Sequence, residues 1–239
     1  MIVKDMSTRT RRPRGSLTPE VILDAAEAIA AQGFDALTMR AVAGHLGAAP
    51  MALYNHFPTK DDLVDALLDR VLGRFEPEPP TDDWSEDLRR LARAHRRLLV
   101  AHPWAVAPLF ARPNPGMSSV RIGELALGIL QRGGFSDGLA VAAFSGVIAL
   151  NYGWSSFTAA RDLDPGGPTA DVGAMLEALS PADYPLTAGV AGEMGAYGSD
   201  EHYDFVLEQL VSGLASPRQD SARAPGAAAG RRPAASRRR

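Results

Sequence analysis

Cysteine is absent from the 239-residue chain. That excludes a disulfide framework, thiolate catalysis and any cysteine-based zinc site, and it fits a reducing cytoplasm. An uninterrupted apolar run of about 18 residues is also missing, which argues against a membrane span and against a membrane partner. Residues 1–16, MIVKDMSTRTRRPRGS, hold basic side chains with no apolar stretch behind them, unlike a secretory leader. The motifs GxGxxG, GxxxxGKS/T and HExxH do not occur, and no GxSxG nucleophile elbow is expected. The five histidines have no acidic neighbours at ligand spacing, so no enzyme, metal centre or cofactor is expected.

What is present is a chain with 46% hydrophobic residues, enough for a substantial core. Its net charge of −3 hides an uneven distribution. Residues 1–60 carry seven basic and five acidic side chains, and residues 216–239 carry seven arginines and one aspartate. The stretch between them is strongly acidic. A polyanion would be drawn to the ends and repelled by the middle, although solvated tails give the same profile. Both ends, residues 1–15 and 216–239, are rich in Arg, Pro, Ala and Gly and read as disordered.

Between the tails the strong patterns are helical. Thr18 as N-cap, Pro19 at the first position and Glu20 open a helix with Ile22, Ala25, Ala26 and Ile29 on one face, ending at Gly33. Thr38 caps a second helix that stops at Gly47. Pro50 opens a third, Met51 to Phe57, and Thr59 caps a longer fourth. The run Phe75-Glu76-Pro77-Glu78-Pro79-Pro80 then marks a domain boundary. Further helices are expected at 84–101, 104–111, 117–132, 137–161 and 200–215, with Gly133-Gly134 dividing the third from the fourth. Residues 162–199 read as a long irregular connection with one short helix, 172–179, and glycines at 189, 192, 195 and 198 in a flexible loop.

The segment TMRAVAGHL-GAA-PMALYNHF, from Thr38 to Phe57, reads as helix, tight turn, helix, with only small residues at the turn. Its second helix is too short and too weakly apolar to bury both faces. It offers Met51, Ala52, Asn55 and His56 outward with Tyr54 beside them, a shape that suits a major groove. Taken alone, the pattern also describes an ordinary helical hairpin.

A longer stretch is more specific. LTPEVILDAAEAIAAQGFDALTMRAVAGHLGAAPMALYNHFPTKDDLVDALL resembles the TetR-family DNA-binding domain throughout, most recognisably in LYNHFPTKDDL. The resemblance implies backbone contacts by Tyr54, His56 and Lys60 and phosphate or groove contacts by Thr38 and Arg40. It places Ala49, Pro50, Met51, Ala52 and Asn55 on the sequence-reading surface. Thr38 also reads as a cap, and Tyr54 is open between a DNA contact and a core position. Arg9, Arg11, Arg12 and Arg14 read either as an arm entering the minor groove or as a non-specific electrostatic tail.

The resemblance continues through HPWAVAPLFARP and FSDGLAVAAFSGVIALNYGW toward the tetracycline-repressor branch. It implies a dimer through helices 137–161 and 200–215, where Ala140, Ala143, Gly146, Ala149 and Gly153 permit close approach. His95, Trp104, Phe110, Arg112, Met117, Asn151, Tyr152, Trp154 and Phe157 supply aromatic area and a few polar groups for an effector pocket, although each is equally compatible with plain core. Asn151 and Trp154 share a helical face. At the branch's two metal-related positions this chain has Pro108 and Phe157, neither of which serves magnesium, so a largely apolar effector is expected.

The expected fold is all-α. An N-terminal three-helix helix-turn-helix domain (16–76) is joined by a linker helix to a larger helical ligand-binding and dimerisation domain (77–215). The expected function is a ligand-responsive, DNA-binding transcriptional regulator, a cytoplasmic homodimer whose partners are operator DNA and a small-molecule effector. The competing reading is a helical interaction protein that binds nucleic acid non-specifically through its basic tails.

Overall fold

A computed structural model describes residues 17–112, 116–163 and 172–216. The arginines of the N-terminal arm, Pro113 and the tail beyond Ser216 lie outside the described residues. Among those described, every regular element is helical and no strand occurs.

The N-terminal unit follows from its caps. Helix α1 (Pro19–Ala30) starts where Thr18 Oγ1 accepts the Val21 N–H at 3.3 Å, and it buries Ile22, Ala25, Ala26 and Ala30. Gly33 then turns the chain at φ +139°, a conformation L side chains rarely adopt. Helix α2 (Met39–Leu46) is capped by Thr38, whose hydroxyl accepts the Ala41 N–H at 3.0 Å. Gly47 in left-handed conformation ends it. Helix α3 (Pro50–Tyr54) is shorter than the expected 51–57: Asn55 closes it, and His56 and Phe57 follow in a turn, both N–H groups meeting Leu53 O at 2.9 Å. Helix α4 (Lys60–Leu72) begins in a reciprocal capping box between Thr59 and Asp62. Its buried side carries Leu63, Val64, Leu67, Leu68, Val71 and Leu72.

Beyond the prolines, α5 (Trp84–Ala101), α6 (Pro103–Ala111), α7 (Met117–Arg132), α8 (Asp137–Leu163) and α11 (Asp200–Ala215) form the larger bundle. Helix α8 packs against α5, α6, α7 and α11. The segment between α8 and α11 is more regular than expected: α9 (Val172–Glu177), α10 (Pro185–Gly189) and a 3₁₀ turn (Glu193–Ala196) occupy its described part. Pro185 opens α10, so Gly189 ends a helix instead of lying in a featureless loop.

Two sequence readings need correction. Asp137–Ala159 of α8 is long and apolar enough, by length and composition, to cross a membrane, with mean hydropathy 1.2. Ser145 and Asn151 interrupt the run and hid it from a search for unbroken apolar stretches. In the fold, this helix is the central strut of the bundle. Second, Gly134-Phe135-Ser136-Asp137-Gly138 has the letters of a GxSxG nucleophile motif. It lies at a helix–helix turn, with Ser136 O accepting the Ala140 N–H, and not at the strand-to-helix elbow that motif requires.

Candidate nucleic-acid interface and ligand cavity

Helix α3 is held from one side only. Leu53 is fully buried and Phe57 nearly so, each worth about 1.5–3 kcal/mol of apolar burial, while Met51 is 72% exposed. Thr38, Arg40, Ala49, Pro50, Asn55, His56 and Lys60 are exposed too, and Ala52 is half-buried. Tyr54 is 40% exposed, which removes its reading as core. Helix α2 packs against α3 across the turn Gly47-Ala48-Ala49, and five residues separate the end of α3 from the start of α4. These helices and the turn after α3 carry the exposed cations Arg40 and Lys60 and the exposed donors Tyr54, Asn55 and His56, the group types that phosphate contacts use.

The second feature is a half-open cavity of about 420 Å³ lined by residues of α4, α5, α6, α7 and α8. Its wall is largely apolar: Leu72 from α4, Leu109 and Phe110 from α6, Val120 and Ile122 from α7, Phe144 and Ile148 from α8. Its polar groups are His95, Ser119, Ser145 and Tyr152. His95 is only 2% exposed, and burial pushes its pKa down to about 4, so the ring is neutral at pH 7. Tyr152 packs edge-on to both His95 and Phe110, and burial raises its phenol pKa. This lining holds no carboxylate. Magnesium asks for several oxygen ligands in near-octahedral order, and these residues do not fit it.

Of the residues expected to form one pocket, His95, Phe110 and Tyr152 meet at this cavity. Trp104 and Pro108 line a separate hollow with Gly33, Phe34 and Asp35. Trp154 and Phe157 line another with Tyr197, His202 and Phe205. Met117 is 74% exposed and stands outside all three. Asn151 is fully buried behind His95; it and Trp154 do share a face, but that face packs on Tyr203 of α11. Arg112 is held by Asp61 at 2.5 Å and Asp65 at 2.7 Å, so it ties α6 to α4 instead of facing a ligand. The reading missed Leu72, Ser119, Val120, Gly123, Phe144, Ser145 and Ile148. Their i, i+3 and i, i+4 spacing on α7 and α8 was a signal, but one shared with any buried face.

The proposed small-residue row on α8 also divides. Ala140 and Ala143 are buried within the chain, and a Cβ at Gly146 would meet Leu210 of the same chain at 3.9 Å. Ala149 lines the cavity, and Gly153 faces open space. Exposed apolar side chains on α8 and α11 include Leu139, Val141, Phe157 and Phe205, the last 65% exposed.

Helix α4 joins the two features. Besides the Arg112 pairs, Asp69 Oδ1 accepts the Ser118 N–H at 2.7 Å at the head of α7. A Cβ at Gly116 would collide with that carboxyl, so the close approach requires glycine. Arg74, just past α4, is paired with Glu27 of α1 at 2.5 Å and lies 2.6 Å from His102 Nε2 at the α5–α6 joint.

Known proteins align with this arrangement. Residues 22–67 match the family described as bacterial regulatory proteins, tetR family, and residues 76–217 match the tetracyclin repressor-like C-terminal domain. An HTH-type transcriptional regulator of Saccharopolyspora erythraea is 34% identical over 86% of this chain and 87% of its own. The HTH-type transcriptional repressor DrrR1 of Streptomyces coeruleorubidus is 30% identical over 86% of this chain and 80% of its own. Among solved structures, the Streptomyces coelicolor protein ActR in complex with actinorhodin superposes with a TM-score of 0.73. It is 27% identical, over 83% of this chain and 96% of that one.

Proposed function

The chain belongs to the tetR family of bacterial regulatory proteins and is a ligand-responsive, DNA-binding transcriptional regulator; we propose the following division of that work among its residues. Residues 16–76 form the DNA-binding unit and residues 77–215 the effector-binding and dimerisation unit. The α2–α3 face enters the major groove, with Ala49, Pro50, Met51, Ala52 and Asn55 against base edges. Thr38, Arg40, Tyr54, His56 and Lys60 hold phosphates. With so few hydrogen-bonding groups at the reading surface, methyl contacts, Asn55 and DNA shape carry specificity. The observation that carries this reading is the one-sided anchoring of α3 by Leu53 and Phe57, which leaves the opposite side free.

Two copies join through the apolar outer surface of α8 and α11, setting the recognition helices about one DNA turn apart, roughly 34–36 Å. The protein acts in the cytoplasm as a repressor and has no catalytic role. The effector occupies the cavity without a metal ion. Phe110 lies in its wall, Arg112 two residues later grips α4, and Leu72 of α4 lines the same cavity. Occupation therefore shifts α4 and, with it, the helix-turn-helix. By linkage, operator and effector weaken each other by the same factor.

A footprint tests the reading. Purified protein on genomic fragments protects a discrete palindrome, and an effector that releases it does so equally with a chelator present. Protection of nothing discrete would favour the non-specific reading based on the basic tails.

A further inference from the structure

The polarity of the cavity wall specifies which hydrogen bonds an occupant must make. Asn151 Nδ2 lies 3.0 Å from Ala92 O and 3.0 Å from His95 Nδ1. Its Oδ1 accepts the Tyr203 hydroxyl at 2.7 Å. Only the amide NH₂ can face a carbonyl, so the Ala92 contact fixes the orientation of Asn151. The second amide hydrogen then points at Nδ1, which must be an acceptor. With its Nδ1 edge turned to Asn151, the neutral ring carries its proton on Nε2 and contributes its opposite edge to the wall. The two serines are committed in the other sense. Ser119 Oγ donates to Gly116 O at 2.6 Å, and Ser145 Oγ donates to Val141 O at 2.8 Å. Toward the cavity they offer only lone pairs.

We propose that His95 is the specificity-determining residue of this cavity, locked by Asn151 as an Nε2–H donor, and that it selects uncharged aromatic ketones over hydrocarbons of the same shape. This rests on the cavity being the effector site. Asn151 and Tyr203 are positioning residues: they touch no ligand and act by holding the tautomer. The serine oxygens accept, so a hydroxylated ketone matches more of the wall than a plain one. A cation finds no carboxylate in the lining, and a carboxylate finds no cation.

The test uses the full chain with ¹⁵N-labelled histidine and two probes that differ in one group, 2-acetylnaphthalene and its alkene isostere 2-isopropenylnaphthalene. Long-range ¹⁵N–¹H spectra should show His95 as the Nε2–H tautomer. The ketone should bind about tenfold more tightly than the alkene, the worth of one hydrogen bond to a buried donor, and should shift the Nε2 resonance. His95→Phe should bind both probes alike. Tyr203→Phe, which keeps the packing, should erode the preference while leaving alkene binding unchanged. An Nδ1–H tautomer, or equal binding of both probes by the unaltered protein, would overturn the inference yet leave the cavity a binding site. If neither probe moves any His95 resonance, the cavity reading falls and the inference with it.

Discussion

The α2–α3 face and the α4–α8 cavity solve opposite problems with the same kind of helix. Helix α3 spends its few apolar side chains on holding itself in place and turns the remainder to solvent. The cavity wall turns apolar side chains toward empty space and keeps its two serine hydroxyl hydrogens committed to the backbone. On the proposed reading, the first takes a polyanion and the second an uncharged, largely apolar molecule. Helix α4 carries Lys60 at one end and Leu72 at the other, and on the proposed reading it passes binding energy between them.

The contrast can be broken at several points. The largest effect is expected at the outer face of α8 and α11. Phe205→Asp places a charge on an exposed apolar position, should convert the dimer to monomer by sedimentation, and should weaken operator binding by about 1000-fold, since one half-site alone is weak. A monomer with unchanged operator affinity would contradict the dimer reading. Gly153→Glu is the companion variant, because a Cβ added there would meet no atom of the described residues within 4 Å. Next, Tyr54→Ala with His56→Ala should cost operator binding about 100-fold, with the circular dichroism spectrum and effector affinity retained. Unchanged gel shifts would remove these residues from the interface.

The cavity side answers to pH. His95 has a pKa of about 4 when folded and near its ordinary 6.5 when unfolded. Below pH 6.5 the unfolded chain therefore binds the extra proton. The stability from neutral burial is fully present above pH 6.5 and drains away as pH falls to about 4, by about 3 kcal/mol. Urea unfolding of the native chain and of His95→Phe should show slopes that differ in this window and agree above it. The smallest effect falls on the joint. Arg112→Ala should leave operator affinity and effector affinity each within about threefold, while reducing their mutual coupling by about 0.5–2 kcal/mol.

How far each region was legible follows from the same contrast. Caps and stops are local, so Thr18, Thr38, Gly47 and Thr59 located the first four helices, and 84–101, 117–132 and 200–215 matched the structure to the residue. The exposed set on α3 was legible because one short helix with a single apolar anchor leaves little choice. The cavity was not, because its wall draws on five helices whose crossing leaves no mark in any one of them. Choosing conspicuous aromatics put Trp104, Trp154 and Phe157 in one pocket, whereas the fold sends them to two other hollows. Arg112 looked like a ligand group because its partners Asp61 and Asp65 are some 50 positions away, on α4.

The central claim is that the cavity and the α2–α3 face are distinct sites coupled through the protein, and reciprocity tests it most directly. For any compound that releases the operator, its affinity should be measured for the free dimer and for the operator-bound dimer, alongside operator affinity with and without the compound. The account predicts that the two ratios are equal, and that Ala149→Trp, which fills the cavity, abolishes compound binding while the dimer persists. A compound that still releases DNA from that variant would contradict it.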